Sequence, residues 1–396
     1  MSKFLFVIPP FWGHINPTLS IGGTLLERGH DVAWAGMTKL NMKLFPLGAK
    51  YFYMEKTESK NKKEIERIIL LQNKGANMPA LEALKLGLED TYIPFARMMI
   101  DEFNEIVEQY KPDVIVNDCI TFVGGLSAQL KNIPFATITP ITPNALNDPQ
   151  SAPKVTEWVH KSIIDLQRFV GIDGDEEFMQ SKLLNMYYTS QLFCGLDNAS
   201  VPPYMKFIGA LTGRPDNTPF DWKKLEAMGD HPKIYISIGT VLVQSRKDFF
   251  SHMIEALKDK PVTVIAAADP NILDEWPENF IVQGYVPQSE LLKHIDVVIG
   301  HGGLNTSCDT FMNGIPMLII PMAFDQSHTA QLIQNYGCGI RIKYSRIRIQ
   351  DIEHAVDELL YNPTYKKAAK EIQQSFIEAG GNKRAAELLE EIITVK

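Results

Sequence analysis

Short apolar runs alternate with longer stretches of helical periodicity through most of the chain. Phe4–Ile8 reads as a strand, a helix is predicted from about Pro17 to Arg28, and Asp31–Ala35, Val114–Val116 and Pro134–Ile138 read as further strands. A second series opens at Ile234-Tyr-Ile-Ser-Ile238 and continues through Val262–Ala267, Phe280–Val282, Val297–Ile299 and Pro316–Ile320. Strands buried on both faces and spaced by helices are the pattern of a parallel sheet, so two α/β halves are expected. Between them, Gly209-Ala-Leu-Thr-Gly-Arg-Pro-Asp-Asn-Thr-Pro219 has the glycine, proline and polar character of a linker. The expected division is a first domain over 1–208, a linker over 209–232, a second domain over 233–380 and a C-terminal helix over 381–396.

Length agrees with this count, since 396 residues suffice for two cores. A hydrophobic share of 45% with 22% charged excludes disordered and fibrous classes. With 39 basic against 47 acidic residues the net charge is −8, which argues against a nucleic-acid or anionic-membrane surface. The charged stretch Lys56–Arg67 reads as a solvated loop and helix start. Cys119, Cys194, Cys308 and Cys338 lack Cys-x-x-Cys spacing, so thiols in a cytoplasmic protein are expected rather than a disulfide framework or a zinc site. Lys3-Phe-Leu-Phe-Val-Ile-Pro9 is too short for a signal peptide, and no apolar run reaches the roughly 18 residues of a membrane span.

The densest chemistry lies between Gly284 and Gln326. Val297-Val-Ile299 reads as a buried strand, Gly300-His301-Gly302-Gly303 turns the chain, and Asn305 and Thr306 can open the next helix. Unpaired N–H groups at such a helix start attract a diphosphate. Around them stand Tyr285 with Gln288, the short carboxylate Asp309, and the pair Asp325-Gln326. These side chains suit a base, a ribose and a hexose, so the segment reads as a nucleotide-sugar site. Asp309 has a second reading as the distal residue of a capping box begun by Thr306.

Phe11-Trp-Gly-His14-Ile-Asn16-Pro17 joins the first strand to the first helix, with Asn16 as the expected N-cap and Pro17 at the first helical position. His14 then stands beyond the carboxyl end of a strand, where open α/β sheets bind ligands, and can act there as a general base. Asp118 follows another strand and can bond the far imidazole nitrogen, fixing the tautomer as in hydrolase triads. Asp173-Gly-Asp175 has the form of a metal-holding Asp-x-Asp, but its acidic, glycine-containing turn has no strong strand before it. Helix-end N–H groups, with no metal, are expected to neutralise a leaving diphosphate. No Gly-x-Gly-x-x-Gly follows the first strand, which argues against a dehydrogenase.

Phe11-Trp-Gly-His14-Ile-Asn-Pro, Ser237-Ile-Gly-Thr240, Tyr285-Val-Pro-Gln288, His301-Gly-Gly-Leu-Asn-Thr306, Asp325-Gln326 and Glu378-Ala-Gly-Gly381 with Arg384-Ala-Ala occur in one order. In this the chain resembles the UDP-dependent glycosyltransferases of family 1, above all the bacterial macrolide and flavonoid glucosyltransferases. The resemblance implies the GT-B fold, two facing Rossmann-like domains with a cleft between them, an acceptor-binding N-terminal domain and a nucleotide-sugar-binding C-terminal one. It also implies a C-terminal helix packed back on the first domain, and inverting displacement without a cofactor or metal. By the same resemblance Tyr285 stacks on uracil, with Val286 and Gln288 beside the nucleoside. His301, Gly303, Asn305, Thr306 and Thr240 hold the diphosphate, Asp309 takes the place of a ribose-binding glutamate, and Asp325 and Gln326 bond the sugar. His14 is the base and Asp118 its partner.

Asp309 is one methylene shorter than the family's usual glutamate, which leaves dTDP open beside UDP. Gln326, where some plant relatives carry histidine for galactose, favours glucose. Trp12, Phe122 and Phe324 are the candidates to line an apolar acceptor pocket, with a polyketide, macrolide, flavonoid or terpenoid hydroxyl as acceptor. The expected activity is cytoplasmic transfer of glucose from UDP-glucose to such a hydrophobic hydroxylated molecule. A sugar-nucleotide epimerase and a non-catalytic auxiliary protein on the same fold are the alternatives.

Overall fold

The computed structural model describes residues 1–74, 80–143, 153–212, 218–239, 246–322 and 326–394. The chain forms two compact units, one of Met1–Thr189, Asp197–Gly213 and Ala379–Lys396, the other of Ser190–Leu196 and Arg214–Glu378. In the first unit β1 (Lys3–Val7), β2 (Asp31–Gly36), β3 (Lys50–Tyr53), β4 (Val114–Asp118), β5 (Phe135–Thr139), β6 (Asn185–Tyr187) and β7 (Met205–Phe207) form one parallel sheet. Their order is β3-β2-β1-β4-β5-β6-β7. Because side chains alternate across a strand, Leu5, Val7 and Ile115 enter one buried cluster while Phe4, Phe6, Val114 and Val116 enter another. Both faces are therefore apolar, and a sheet of this kind is stable only when helices cover both.

The second unit repeats the plan. Its strands β8 (Lys233–Ser237), β9 (Thr263–Ala267), β10 (Phe280–Gln283), β11 (Val297–Gly300), β12 (Met317–Ile319) and β13 (Gly339–Arg341) pair in parallel in the order β10-β9-β8-β11-β12-β13. Ser190–Leu196 belongs here despite its place in the sequence, because the Phe193 ring packs on Phe311 at 5.6 Å and Phe376 at 6.1 Å. The Ser190 and Ser375 hydroxyls also share a hydrogen bond of 2.7 Å. In each sheet the chain builds outward from its first strand in one direction and then returns to build in the other. The reversals fall between β1 and β4 and between β8 and β11. Loops leave in opposite directions at such a switch point, opening a crevice at the strands' carboxyl ends.

Several local expectations are revised. The first helix runs over Trp12–Glu27 with Phe11 as N-cap, so Asn16 and Pro17 lie inside it. The Phe11 carbonyl accepts from the N–H groups of His14 (2.9 Å) and Ile15 (3.0 Å), winding a first turn that needs nothing from the missing N–H of Pro17. Lys56–Arg67 lies within the helical stretch Glu55–Lys74, which kinks at Asn61 (φ −115°, ψ 16°). The strands β3, β6, β7 and β13 had no clear signal, since runs of three or four residues carry too little periodicity to stand out.

The helix Gly381–Glu391 is part of the first unit and shares a buried cluster with the first helix, through Ala385, Leu388 and Leu389 on one side and Ile21 and Leu25 on the other. Glu390 reinforces this packing. Arg28 donates to it in two places, Nε to Oε1 at 2.8 Å and Nη2 to Oε2 at 2.6 Å, and His30 Nε2 lies 2.8 Å from Oε1. The Arg28 hydrogen bonds, opposed by partial burial and helped by His30, hold the Glu390 carboxyl down at about 2. A carboxylate held low binds fewer protons folded than unfolded, so its contribution is complete above the ordinary value of 4.5 and disappears as pH falls toward 2. Glu390→Gln should therefore cost about 0.5–1 kcal/mol near neutral pH, solvent screening holding a surface pair to that range. Urea unfolding of both proteins at stepped pH should show the gap closing below pH 4.5. A gap that stays constant would contradict the ion-pair origin.

Candidate functional site

Register explains the first cluster. β1 and β4 are neighbours with Val7 opposite Asn117, so Asp118 ends its strand beside the loop that leaves β1. The first helix turn carries His14 to the same place, and its Nδ1 lies 2.8 Å from Asp118 Oδ2 across 104 residues of sequence. A carboxylate oxygen can only accept, so Nδ1 carries the proton and Nε2 the lone pair. Asp118 Oδ1 accepts the Ile120 N–H at 3.0 Å, which fixes the carboxylate plane. The Asp118 side chain is fully buried while that of His14 is 19% exposed, so the imidazole is the half of the pair that solutes can reach. Phe11 contacts its ring edge-on at 6.3 Å.

In the second unit the turn after β11 delivers His301 and then the helix Leu304–Met312, whose N-cap is Gly303. The first bond of this helix runs from Ser307 N–H to the Gly303 carbonyl at 3.0 Å, and no side chain caps the turn. Its opening N–H groups precede the first intrahelical bond and point out of the helix start. His301 sits over this helix head. A Cβ added to Gly303 would come within 2.6 Å of its Nε2, and one on Gly239 within 3.0 Å of the ring, so only glycine leaves the imidazole its place. Burial drives His301 down to about 4, with the Ser237 backbone acting weakly in the opposite direction. His301 is thus neutral near pH 7, and its Nδ1 makes no hydrogen bond among the described residues. A neutral imidazole offers one N–H to an anion, without a charge.

Gln288 opens a short helix, Gln288–Leu291, and bridges two neighbours. Its Nε2 donates to Asp309 Oδ2 at 2.7 Å, while its Oε1 accepts from the Tyr235 hydroxyl at 3.2 Å. The amide orientation and the carboxylate are set together. Tyr235 stood in the sequence analysis only as a residue of the strand Ile234–Ile238, and its place on β8 beside β11 brings its hydroxyl to Gln288. Tyr285 is 74% exposed on its turn, where Gln283 Nε2 donates to the carbonyls of Pro219 and Tyr285. Val286 is buried next to it.

Two expectations change. With Gly303 as N-cap, Thr306 lies within the first turn and Asp309 in the second, so Asp309 is no capping-box residue. Phe122 is not a pocket-lining ring: it is 3% exposed, packed on Tyr92 at 5.9 Å within the core, whereas Trp12 is 43% exposed. Gln326 is buried and its Oε1 accepts the Met322 N–H at 2.9 Å, which ties the end of the β12 loop to the helix Gln326–Tyr336. Asp173 and Asp175 occupy an exposed turn, with Asp175 Oδ1 3.3 Å from Arg168 Nη2. Thr240, Phe324 and Asp325 lie outside the described residues.

Two parallel sheets, each with its chemistry at the switch point, define a class that comparison with known proteins specifies. The glycotransferase of kitacinnamycin matches the whole chain in structure, with a TM-score of 0.80 at 21% identity, covering 98% of each chain. The fold is GT-B. The family model for UDP-glucoronosyl and UDP-glucosyl transferase matches residues 184–376. The uncharacterized UDP-glucosyltransferase YdhE of Bacillus subtilis is 28% identical over 422 residues, covering all of both chains. The 4'-demethylrebeccamycin synthase of Lentzea aerocolonigenes is 23% identical over 428 residues, covering 99% of this chain and 100% of that one. In sequence the chain is similar to the family 1 UDP-glycosyltransferases, in the family model over residues 184–376 and in these relatives along its length. No helix among the described residues is long and apolar enough to cross a membrane.

The tight seat of His301 makes a direct prediction. Gly303→Ala should push the imidazole off the helix head and weaken UDP binding at least tenfold by calorimetry, while the circular dichroism spectrum stays native. Unchanged affinity would show that neither the His301 position nor the helix opening contributes to nucleotide binding.

Proposed function

We propose that this enzyme moves glucose from UDP-glucose to a hydroxyl of a hydrophobic natural-product-type molecule, with inversion at the anomeric carbon. The observation that carries this reading is the His14–Asp118 pair, a partly exposed imidazole held in the tautomer that leaves Nε2 as a base. As the acceptor oxygen attacks the anomeric carbon, Nε2 receives its proton and the bond from that carbon to the UDP oxygen breaks, UDP leaving with the electron pair. Asp118 stabilises the imidazolium so formed. Tyr285 would stack on uracil, and Asp309, steadied by Gln288, would bond the ribose. His301 and the helix-head N–H groups would receive the diphosphate charge, with Thr240 beside them. Asp325 and Gln326 would bond the sugar hydroxyls.

Glucose and UDP are favoured by the family description and by the name of the Bacillus relative, and a natural-product acceptor by the name of the Lentzea one. None of the four cysteines is in a disulfide, which suits a reducing cytoplasm. Incubating the purified chain with UDP-glucose or dTDP-glucose and a panel of apolar alcohols, followed by mass spectrometry, tests donor and acceptor together. Glycoside formation from UDP-glucose is expected, and release of free or isomerised sugar alone would overturn the reading.

His14→Ala should lower transfer to an aliphatic hydroxyl by roughly 10²–10⁴-fold, the range of a positioned acid–base group. UDP affinity should hardly change, because the nucleotide-binding groups belong to the other unit. Asp118→Asn should shift turnover in the same direction. Retention of most activity by His14→Ala, with an acceptor too weakly acidic to ionise unaided, would remove the base assignment. Turnover should also be insensitive to EDTA; loss of activity on chelation and its return with Mg²⁺ or Mn²⁺ would replace the helix head with a cation as the diphosphate partner.

A further inference from the structure

Cys119 has no part in the proposed transfer, yet it belongs to the same cluster. One imidazole nitrogen of His14, one carboxylate oxygen of Asp118 and the Cys119 Sγ all lie within 4.8 Å of one another, and no other such trio occurs among the described residues. All three are held before any ion arrives. Asp118 closes β4 and is braced by the Ile120 N–H at 3.0 Å, and the Cys119 N–H donates to the Ile138 carbonyl at 2.9 Å. Asp118 and Cys119 are buried, while the 19% exposure of the His14 side chain leaves a way in.

The geometry points to a binding site for a thiophilic divalent cation of the zinc type, formed by His14, Asp118 and Cys119, whose occupation stops glycosyl transfer. A tetrahedral ion with bonds of about 2.0–2.3 Å holds neighbouring ligand atoms roughly 3.3–3.8 Å apart. The trio reaches that spacing through side-chain shifts of about an ångström, including a small opening of the 2.8 Å contact between His14 and Asp118. A set of one nitrogen, one oxygen and one sulfur suits Zn²⁺, whereas Mg²⁺ prefers oxygen ligands and retains its waters. On binding, the Cys119 thiol loses its proton to solvent as the metal–sulfur bond forms, and nothing is oxidised or reduced. If the ion takes Nε2, the lone pair is consumed; if it takes Nδ1, the ring proton moves to Nε2. Either way His14 can no longer accept the acceptor's proton. The inhibitory half of the inference rests on the reading of His14 as base, and the binding half does not.

Titrating the EDTA-treated, desalted protein with Co²⁺ separates the two halves. One equivalent should bind with a sulfur-to-cobalt charge-transfer band and the intense visible bands of a tetrahedral ion, Zn²⁺ should displace it, and Cys119→Ala should abolish the charge-transfer band. In transfer assays Zn²⁺ should inhibit reversibly where equal Mg²⁺ does not, and Cys119→Ala should raise the half-inhibiting Zn²⁺ concentration at least tenfold. Should Cys119→Ala fail to fold, His14→Ala replaces it, with loss of the tetrahedral bands as the readout. Absence of a charge-transfer band in the folded protein, or its persistence without Cys119, overturns the site. Stoichiometric cobalt binding that leaves transfer untouched instead overturns His14 as the base.

Discussion

The parallel pairing of β1 with β4, and of β8 with β11, is the constraint on which the chemistry depends. Parallel neighbours place their carboxyl ends side by side, and at a switch point their outgoing loops diverge. That arrangement brings a histidine after one strand to a carboxylate ending the next, over 104 residues of sequence. In the other unit it brings the turn after β11 beside Gly239, which follows β8. Neither meeting comes from a local preference of the residues involved. Each follows from burying apolar strands on both faces and joining them by crossovers of one hand.

Two histidines at the switch points of the two units, one after β1 and the other after β11, meet opposite environments. His14 faces a buried carboxylate that fixes its tautomer and would stabilise it once protonated. His301 is packed against two glycines with no anion against it, and partial burial keeps it neutral. In the proposed mechanism the first accepts a proton in the transition state, while the second offers a neutral N–H to an anion. The difference arises from surroundings alone, since the side chains are identical. A neutral histidine and a helix head can together stabilise a leaving diphosphate through fixed dipoles.

Where local reading failed, a competing contact had intervened. Pro17 marks a helix start by its chemistry, yet the Phe11 carbonyl nucleates a turn ahead of it. Thr306 and Asp309 have nearly the spacing of a capping box, but the chain already enters the helix at Gly303, and Asp309 meets Gln288 instead. Phe122 follows a strand end like a pocket residue, and tertiary packing buries it against Tyr92.

Sequence by itself determined the class of fold, most of the strands and the identity of the two switch-point segments, because burial on both faces writes continuous apolar runs and glycine turns write themselves as glycine. It also proposed the bond between His14 and Asp118, and singled out Gln288 and Asp309 as separate groups of interest. Only the tertiary structure joined Gln288 to Asp309, placed Ser190–Leu196 with the second unit, and set Cys119 beside the His14 pair. The physical reason is the same in each case. Periodicity records which face of an element is buried, whereas contacts between side chains far apart in sequence depend on strand order and register, which no single segment encodes.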